Sequence, residues 1–146
     1  MKNYVLVLPF NASGKRIVAM EKKRPAWQAG KLNCPGGSIE PTDSCPVQAA
    51  VRELREETGL VVLQESLNFV AFVRWFDDGN VECANCHVFS LFDDVVEHAK
   101  TIEDERVFVM DSDQLLRGDV IDNLRWMVPM AISRSSAKEV IERNGK

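Results

Sequence analysis

The chain has 146 residues, which fits one domain and suffices to bury a core without disulfide or metal crosslinks. Hydrophobic residues make up 45% and charged residues 27%, as is ordinary for a globular protein. The net charge of −4 argues against binding of long nucleic acid through a broad basic face, but a metal ion can still attract a small anionic ligand.

Strands are predicted where short apolar, β-branched runs lie between turn signals, and helices where apolar residues recur at helical spacing. In chain order these are strands Tyr4–Phe10 and Arg16–Met20, helix Pro46–Thr58, strands Leu67–Phe76, Val81–Leu91 and Arg106–Met110, a helical turn Asp111–Leu116, and a helix from Ile121 onward. Pro129 is expected to kink or delay the last helix, and Glu142–Lys146 is expected to be a polar tail.

This pattern mixes strands with a few helices and lacks the strict alternation of a doubly wound sheet. It predicts a mixed α/β (α+β) sandwich formed by a single domain over residues 1–146. The apolar run at the N terminus is too short for a signal peptide, and no stretch is long enough to span a membrane. We therefore expect a cytoplasmic protein with no membrane partner.

The helix Pro46–Thr58 has the clearest boundaries. Ser44 is a plausible N-cap, Pro46 lies in the first turn, and Gly59 occupies the usual stop position. At about 100° per residue, an apolar stripe runs along one side and three carboxylates lie on another. The stripe comprises Val47, Ala50, Val51, Leu54 and Thr58, and the carboxylates are Glu53, Glu56 and Glu57.

Like charges at these spacings cost a few tenths of a kcal/mol per pair, unless a cation lies between them. Arg52 and Arg55 offset part of that cost, and a hard divalent cation that prefers carboxylate oxygens would offset more. A solvated charged face explains the same pattern equally well. The loop before the helix favours the metal, because Gly36-Gly37 lets backbone approach a ligand closely.

Gly37 followed by Arg52-Glu-Leu-Arg-Glu-Glu-Thr-Gly-Leu60 resembles the signature of the Nudix hydrolase family. That signature is Gly, five residues, Glu, seven residues, then Arg-Glu-apolar-any-Glu-Glu-any-Gly-apolar. Its second half is matched in full. The resemblance implies the Nudix-type α/β/α sandwich with a mixed central sheet, and it extends to Arg24–Asn33 and to Asp122–Trp126.

The first half of the signature departs from the family. Five residues separate Gly37 from Asp43, which stands where the family has Glu, and eight residues then separate Asp43 from Arg52. Taking Ser44 as the equivalent position would lose the carboxylate. We therefore expect altered loop geometry and weaker catalysis rather than inactivity, with Glu40 as a substitute acid.

The resemblance implies Mg²⁺-dependent attack of water on a nucleoside diphosphate linked to some group X, with Mn²⁺ as a substitute metal. In that reading Glu56 and Glu57 are the first metal ligands, Glu53 is a ligand or general base, and Arg52 orients a glutamate. The carbonyl of Gly36 or Gly37 is a further candidate ligand. Many members add an acid from a distant loop, for which Glu105 is chosen among Glu103–Glu105, although a surface acidic loop explains these residues as well.

Five residues are candidates for binding substrate: Arg24, Trp27, Gly36, Asn123 and Trp126. Trp27 lies in a cationic segment and offers a flat face to a nucleobase. In related small Nudix proteins the C-terminal segment contacts the base, which suggests Asn123 and Trp126. A helix cap is the alternative for Asn123, and core packing is the alternative for tryptophan.

The cysteines give a weaker pattern. Cys83-Ala-Asn-Cys86-His87 matches a haem c attachment pattern and also offers zinc ligands. Within a strand, however, Cys83 and Cys86 point to opposite faces, so buried or half-buried thiols are the favoured interpretation.

The leading hypothesis is hydrolysis of a (deoxy)nucleoside triphosphate to monophosphate and pyrophosphate. ADP-ribose, a nucleotide sugar or a dinucleotide is the alternative substrate, and a non-catalytic nucleotide-binding module is the alternative function. The partner is a small nucleotide in each case, and the protein is expected to be a monomer or homodimer.

Overall fold

Two separate hydrophobic layers cover the opposite faces of one mixed sheet in the computed structural model, which describes residues 1–143. Its elements are β1 (Lys2–Phe10), β2 (Arg16–Glu21), β3 (Leu32–Asn33), β4 (Gly36–Ser38), α1 (Pro46–Thr58), β5 (Asn68–Phe76), β6 (Glu82–Phe92), β7 (Val107–Asp111), α2 (Ser112–Arg117), α3 (Leu124–Ile132) and β8 (Ala137–Arg143). Short 3₁₀ turns lie at Ala26–Gln28, Gln64–Ser66 and Asp94–His98.

The sheet has eight strands in the order β3-β2-β1-β6-β5-β8, with β4 paired to β1 and β7 paired to β2. The β1–β6 and β5–β8 pairs are parallel, and the other pairs are antiparallel. The mixed sheet predicted from the sequence is therefore confirmed.

Alternation along β1 explains the two layers, because successive side chains point to opposite faces of a strand. Leu6 and Leu8 pack with Leu124 of α3 on one face. Val5 and Val7 pack with Ala49, Ala50 and Leu54 of α1 on the other. The apolar stripe of α1 is thus buried, and its acidic side is left to face β4.

The end of the chain differs from the prediction. The last helix contains Pro129 and ends at Ile132, and the segment Ala137–Arg143 forms the edge strand β8 rather than a helix. Arg134, with a φ of 60°, lies in the turn between them. Glu142 and Arg143 are therefore part of the sheet, and the rest of the predicted polar tail lies outside the described residues. Within residues 1–143, no helix has the length and apolar content needed to cross a membrane.

Candidate active site

The start of α1 is fixed differently from the prediction. Cys45 occupies the N-cap position without a side-chain cap, so the assignment of Ser44 as N-cap is wrong. The Ser44 hydroxyl instead donates to Gln48 Oε1 at 2.7 Å. Pro46 is in the first turn, and Gly59 closes the helix in the left-handed conformation with a φ of 78°, as expected. These contacts fix the helix that carries the acids.

The three carboxylates differ in their exposure. Glu57 is 8% exposed, and its Oε1 accepts the backbone N–H of Gly36 at 2.8 Å. The side chain of Glu53 is 13% exposed and that of Glu56 is 42% exposed. The Gly36 amide therefore donates to Glu57, whereas the sequence suggested that the backbone here approaches a ligand.

Gly36 and Gly37 form part of a strand and leave no room for side chains. A Cβ on Gly36 would lie 2.3 Å from the carbonyl oxygen of Val5, and one on Gly37 would lie 1.9 Å from Glu53 Oε2. Contacts below about 3 Å force something to move. The glycines therefore allow β4 to pair with β1 and allow the Glu53 carboxylate to lie against the strand.

Arg52 joins the loop to the acidic face. Its Nε and Nη2 donate to Asp43 at 3.0 and 2.8 Å, its Nη2 also donates to the Ser38 carbonyl at 3.0 Å, and its Nη1 donates to Glu56 at 3.1 Å. Glu40 is farther from it, at 3.6 Å. Asp43, whose side chain is 4% exposed, is thus the main acidic partner of Arg52, and Glu40 does not replace it.

The hydrogen bonds of Arg52 hold the pKa of Asp43 below its usual value. Burial has the opposite effect on the neighbouring glutamates. It raises the pKa of Glu53 to about 7 and that of Glu57 to about 8, and repulsion between these two carboxylates adds to the rise for Glu57. The site therefore holds one buried and one half-buried acid whose ionised forms are unfavourable without added positive charge.

A divalent cation fits this donor set, because hard carboxylate oxygens and excess buried negative charge are what such an ion requires. Within residues 1–143, however, no three His, Cys, Asp or Glu side chains converge closely enough to form a ready-made metal cluster. The Glu57 carboxylate accepts a hydrogen bond from the Gly36 amide, and the Glu56 carboxylate accepts one from Arg52. The acids are thus gathered on one face, and ligation would require their side chains to turn.

The family of the chain follows from its match to a family model. The NUDIX domain model matches residues 2–143, almost the whole chain. The chain belongs to the Nudix family. This membership supports a pyrophosphohydrolase, and α1 is its Nudix helix. Among curated proteins, none matches the chain significantly.

Solved structures share the fold at low identity. The mutator MutT protein of Bacillus halodurans has a TM-score of 0.75 and 14% identity, over 98% of this chain and 90% of that one. The NUDIX domain of Shewanella oneidensis NrtR, complexed with ADP ribose, has a TM-score of 0.77 and 14% identity, over 92% of this chain and 88% of that one. MutT of Methanosarcina mazei Go1 has a TM-score of 0.67 and 21% identity, over 91% of this chain and 93% of that one. The Nudix-type sandwich predicted from the sequence is confirmed.

Glu105, the distant acid chosen from the sequence, is engaged by two lysines of the segment that follows β2. It is 6% exposed, its Oε1 pairs with Lys22 Nζ at 2.9 Å, and its Oε2 accepts the Lys23 N–H at 2.7 Å. These contacts lower its pKa despite burial. Glu103 is the residue of that segment whose charge reaches the site, since it raises the pKa of Glu53 and Glu57.

The predicted substrate residues of the N-terminal half lie at the surface. Trp27 is 65% exposed in the 3₁₀ turn Ala26–Gln28, so its ring is free to stack on a ligand. Arg24 forms a two-pronged ion pair with Asp104, at 2.9 and 3.1 Å. Both remain candidates, although Arg24 already has an anionic partner.

The C-terminal candidates have different surroundings. Asn123 occupies the N-cap position of α3 without capping it through its side chain, so its amide is not used there. Trp126 is half-buried, and its indole N–H donates to Glu142 Oε2 at 3.0 Å. Trp75 donates to the other oxygen of Glu142 at 2.5 Å. Trp126 therefore helps attach β8 to the sandwich.

The cysteines are free thiols; in β6, Cys86 is buried and Cys83 is exposed. Sequence reasoning missed three residues near these sites. Asp43 was taken as a weak point, and Glu142 was placed in a tail. Lys22 was not singled out, although it lies in the cationic segment before Trp27 and directly after a strand with a buried centre.

Proposed function

We propose that this Nudix protein hydrolyses a phosphoanhydride bond in a nucleoside diphosphate linked to X, with Mg²⁺ as cofactor and Mn²⁺ as a substitute. The carrying observation is a pair of carboxylates, buried Glu57 and half-buried Glu53, held against Gly36 and Gly37 on the side of α1 that does not enter the core. A solvated surface helix does not withdraw two neighbouring acids from solvent in this way. When bound, the metal would neutralise phosphate oxygens and acidify a water molecule.

The residues of the Nudix helix are proposed to have different roles in metal binding and proton transfer. Glu56 and Glu57 are proposed as the primary metal ligands, with the carbonyl of Gly37 as a further ligand. Arg52 holds the Glu56 carboxylate at 3.1 Å and so orients it. Glu53 is proposed to accept a proton from the attacking water, because an acid with a pKa of about 7 is suited to proton transfer near neutral pH.

Glu105 is not proposed as that base. Both of its oxygens are occupied by Lys22 and by the Lys23 amide, and its lowered pKa makes its carboxylate a weak proton acceptor. The charge of Glu103 raises the pKa of Glu53 and of Glu57. Glu103 is therefore the better candidate in this segment for an extra metal ligand.

A (deoxy)nucleoside triphosphate, cut to monophosphate and pyrophosphate, is the favoured substrate, and exposed Trp27 offers a surface for its base. ADP-ribose is the second candidate, since the NUDIX domain of NrtR, which has the same fold, binds it. A non-catalytic module is disfavoured, because Asp43 keeps Arg52 in place despite the longer loop. We further propose a cytoplasmic monomer or homodimer.

A substrate panel tests this proposal. Purified protein is incubated with Mg²⁺ or Mn²⁺ and nucleoside triphosphates, ADP-ribose, nucleotide sugars and dinucleotides, and products are identified by chromatography. Pyrophosphate together with a nucleoside monophosphate is expected. Two monophosphates from ADP-ribose would instead support the second candidate, and no turnover of any compound would refute the enzyme assignment.

A further inference from the structure

Part of the sheet is left open on the side of α1. Alternation along β5 points Val73 into the layer of α3, and it points Phe72 and Phe76 to the opposite face. On that side α1 packs on β1, β4 and β6. Phe72 and Phe76 are half-buried, and neither belongs to a hydrophobic layer of the described residues. We name this surface of β5 and β8 the open face; it comprises Phe72, Arg74, Phe76, Glu139, Ile141 and Arg143.

The strand β8 contributes three side chains to the open face. Glu139 accepts a hydrogen bond from Arg74 Nη1 at 2.7 Å, and the Arg143 guanidinium lies 5.1 Å from the centre of the Phe76 ring. Ile141 lies between these two charged residues on the same strand face, and it is 48% exposed. Since β8 is the last strand of the sheet, the open face reaches an edge that no other described strand covers.

The charges of the open face are unevenly paired within one chain. Arg74 contacts two carboxylates, Glu82 at 2.8 Å and Glu139 at 2.7 Å. Arg143 donates to Asn80 Oδ1, and it forms no ion pair with a carboxylate of residues 1–143. Glu139 therefore shares its cation with a second acid, while Arg143 keeps a positive charge that a further carboxylate could neutralise.

We propose that the open face binds the open face of a second copy of this chain, about a two-fold axis that crosses β8 at Ile141. The two β8 strands then run in opposite directions. Glu139 of each copy meets Arg143 of the other, and the two Ile141 side chains meet at the centre, as a self-complementary contact requires. The order acid, apolar, base along this side of β8 is complementary to its own reverse.

The charge of the whole chain favours this face over the rest of the surface for self-association. The net charge of −4 makes two copies repel each other. The open face and its neighbour Glu82 instead carry two arginines and two glutamates, which cancel. Arginine and aromatic residues are also the types enriched where proteins associate. The proposal concerns assembly and goes beyond the proposed function, so its test needs no turnover.

Sedimentation velocity of the full-length protein over a wide concentration range should show a monomer–dimer equilibrium. Ile141→Glu should raise the dimer Kd about 100-fold or more, because it places two like charges against each other at the axis. Ile132→Glu is the matched control, since it makes the same change at an isoleucine of α3 that is 42% exposed and outside the open face. The control should leave the dimer Kd unchanged.

Charge reversal at the two ends of the contact gives a sharper test. Glu139→Lys and Arg143→Glu each place like charges together at both ends, and each should raise the dimer Kd about 10-fold or more. An equimolar mixture of the two variants should recover the dimer, because the mixed pair has opposite charges at both ends. Local damage to the fold of either variant is not repaired by mixing, so recovery reports on the contact itself.

Three results would overturn the proposal. The first is a wild-type protein that stays monomeric at every concentration, in which case the charges of β8 protect an edge strand from association. The second is a dimer that Ile132→Glu weakens as much as Ile141→Glu does. The third is a mixture of folded Glu139→Lys and Arg143→Glu proteins that associates no more tightly than either variant alone. Melting curves of each variant verify folding.

Discussion

At the scale of single residues, the main electrostatic cost of the site is the burial of Glu53 beside Glu57. The ordinary pKa of each is 4.5, and the fold raises these pKa values to about 7 and about 8. Between pH 4.5 and these values, the native state holds protons that the unfolded chain has released. Stability must therefore fall as the pH rises through this range.

We predict that in chelator, without divalent metal, the melting temperature falls between pH 5 and pH 8. The double variant Glu53→Gln/Glu57→Gln should show a smaller fall, because its amides do not titrate. Added Mg²⁺ should raise the wild-type melting temperature more at pH 8 than at pH 5, since ligation requires ionised carboxylates. Scanning calorimetry across this pH range measures both effects.

His87 acts in the opposite direction, because burial lowers its pKa below 6.5 and its contribution to stability is lost as the pH falls. It is the same in wild type and variant, so the difference between the two isolates the glutamates. Parallel pH profiles for the two proteins would contradict the assigned pKa shifts.

Single residues also show what the sequence allowed us to predict. The spacing of Glu53, Glu56 and Glu57 was sufficient to place them on one helix face. The pairings of Asp43 with Arg52 and of Glu105 with Lys22 were not predictable, because they join residues from loops whose path depends on the whole fold. The loop between Asp43 and Arg52 is one residue longer than in the family pattern. The side chain of Asp43 is also one methylene shorter than the glutamate that the family has there.

At the scale of elements, the contact between β4 and α1 depends on two adjacent glycines with different neighbours. A Cβ on Gly36 meets the Val5 carbonyl, which is backbone and cannot move aside without opening the β1–β4 pair. A Cβ on Gly37 meets the carboxylate of Glu53, which is the far end of a flexible side chain.

We therefore predict opposite patterns for two alanine substitutions. Gly36→Ala should destabilise the protein by about 1–3 kcal/mol, as forced overpacking does. Gly37→Ala should cost less stability but lower kcat about a hundredfold or more, because it displaces the proposed base, and geometry errors of this size are that costly. Urea unfolding and steady-state kinetics measure the two quantities.

The β1–β4 packing account fails if Gly36→Ala is as stable as wild type. The placement of Glu53 fails if Gly37→Ala keeps full kcat.

Elements with a strong local signal were predicted, and those that depend on a partner were not. α1 was predicted to the residue, since Pro46 and Gly59 mark both ends. β8 was missed because Ala137–Arg143 is polar and acquires its strand conformation by pairing with β5. The N-cap was misplaced because Ser44 bonds Gln48 rather than the helix backbone.

At the scale of the whole molecule, the fold gathers the catalytic candidates by layering. The sheet separates α1 from α2 and α3, so the acidic side of the Nudix helix is excluded from the core and directed toward β4. The mixed sandwich was predicted from strand and helix order. The strand order itself was not, because parallel pairs such as β1–β6 join segments about 80 residues apart.

The central claim is that the acids of the Nudix helix perform the hydrolysis, and the most direct test is Mg²⁺-dependent turnover by Glu56→Gln and Glu57→Gln. Glu65→Gln, at an exposed acid just after the helix, is the matched control. Loss of metal-assisted charge stabilisation should lower kcat about a hundredfold or more in the first two variants and leave the control unchanged. Turnover equal to wild type in both Glu56→Gln and Glu57→Gln would contradict the account.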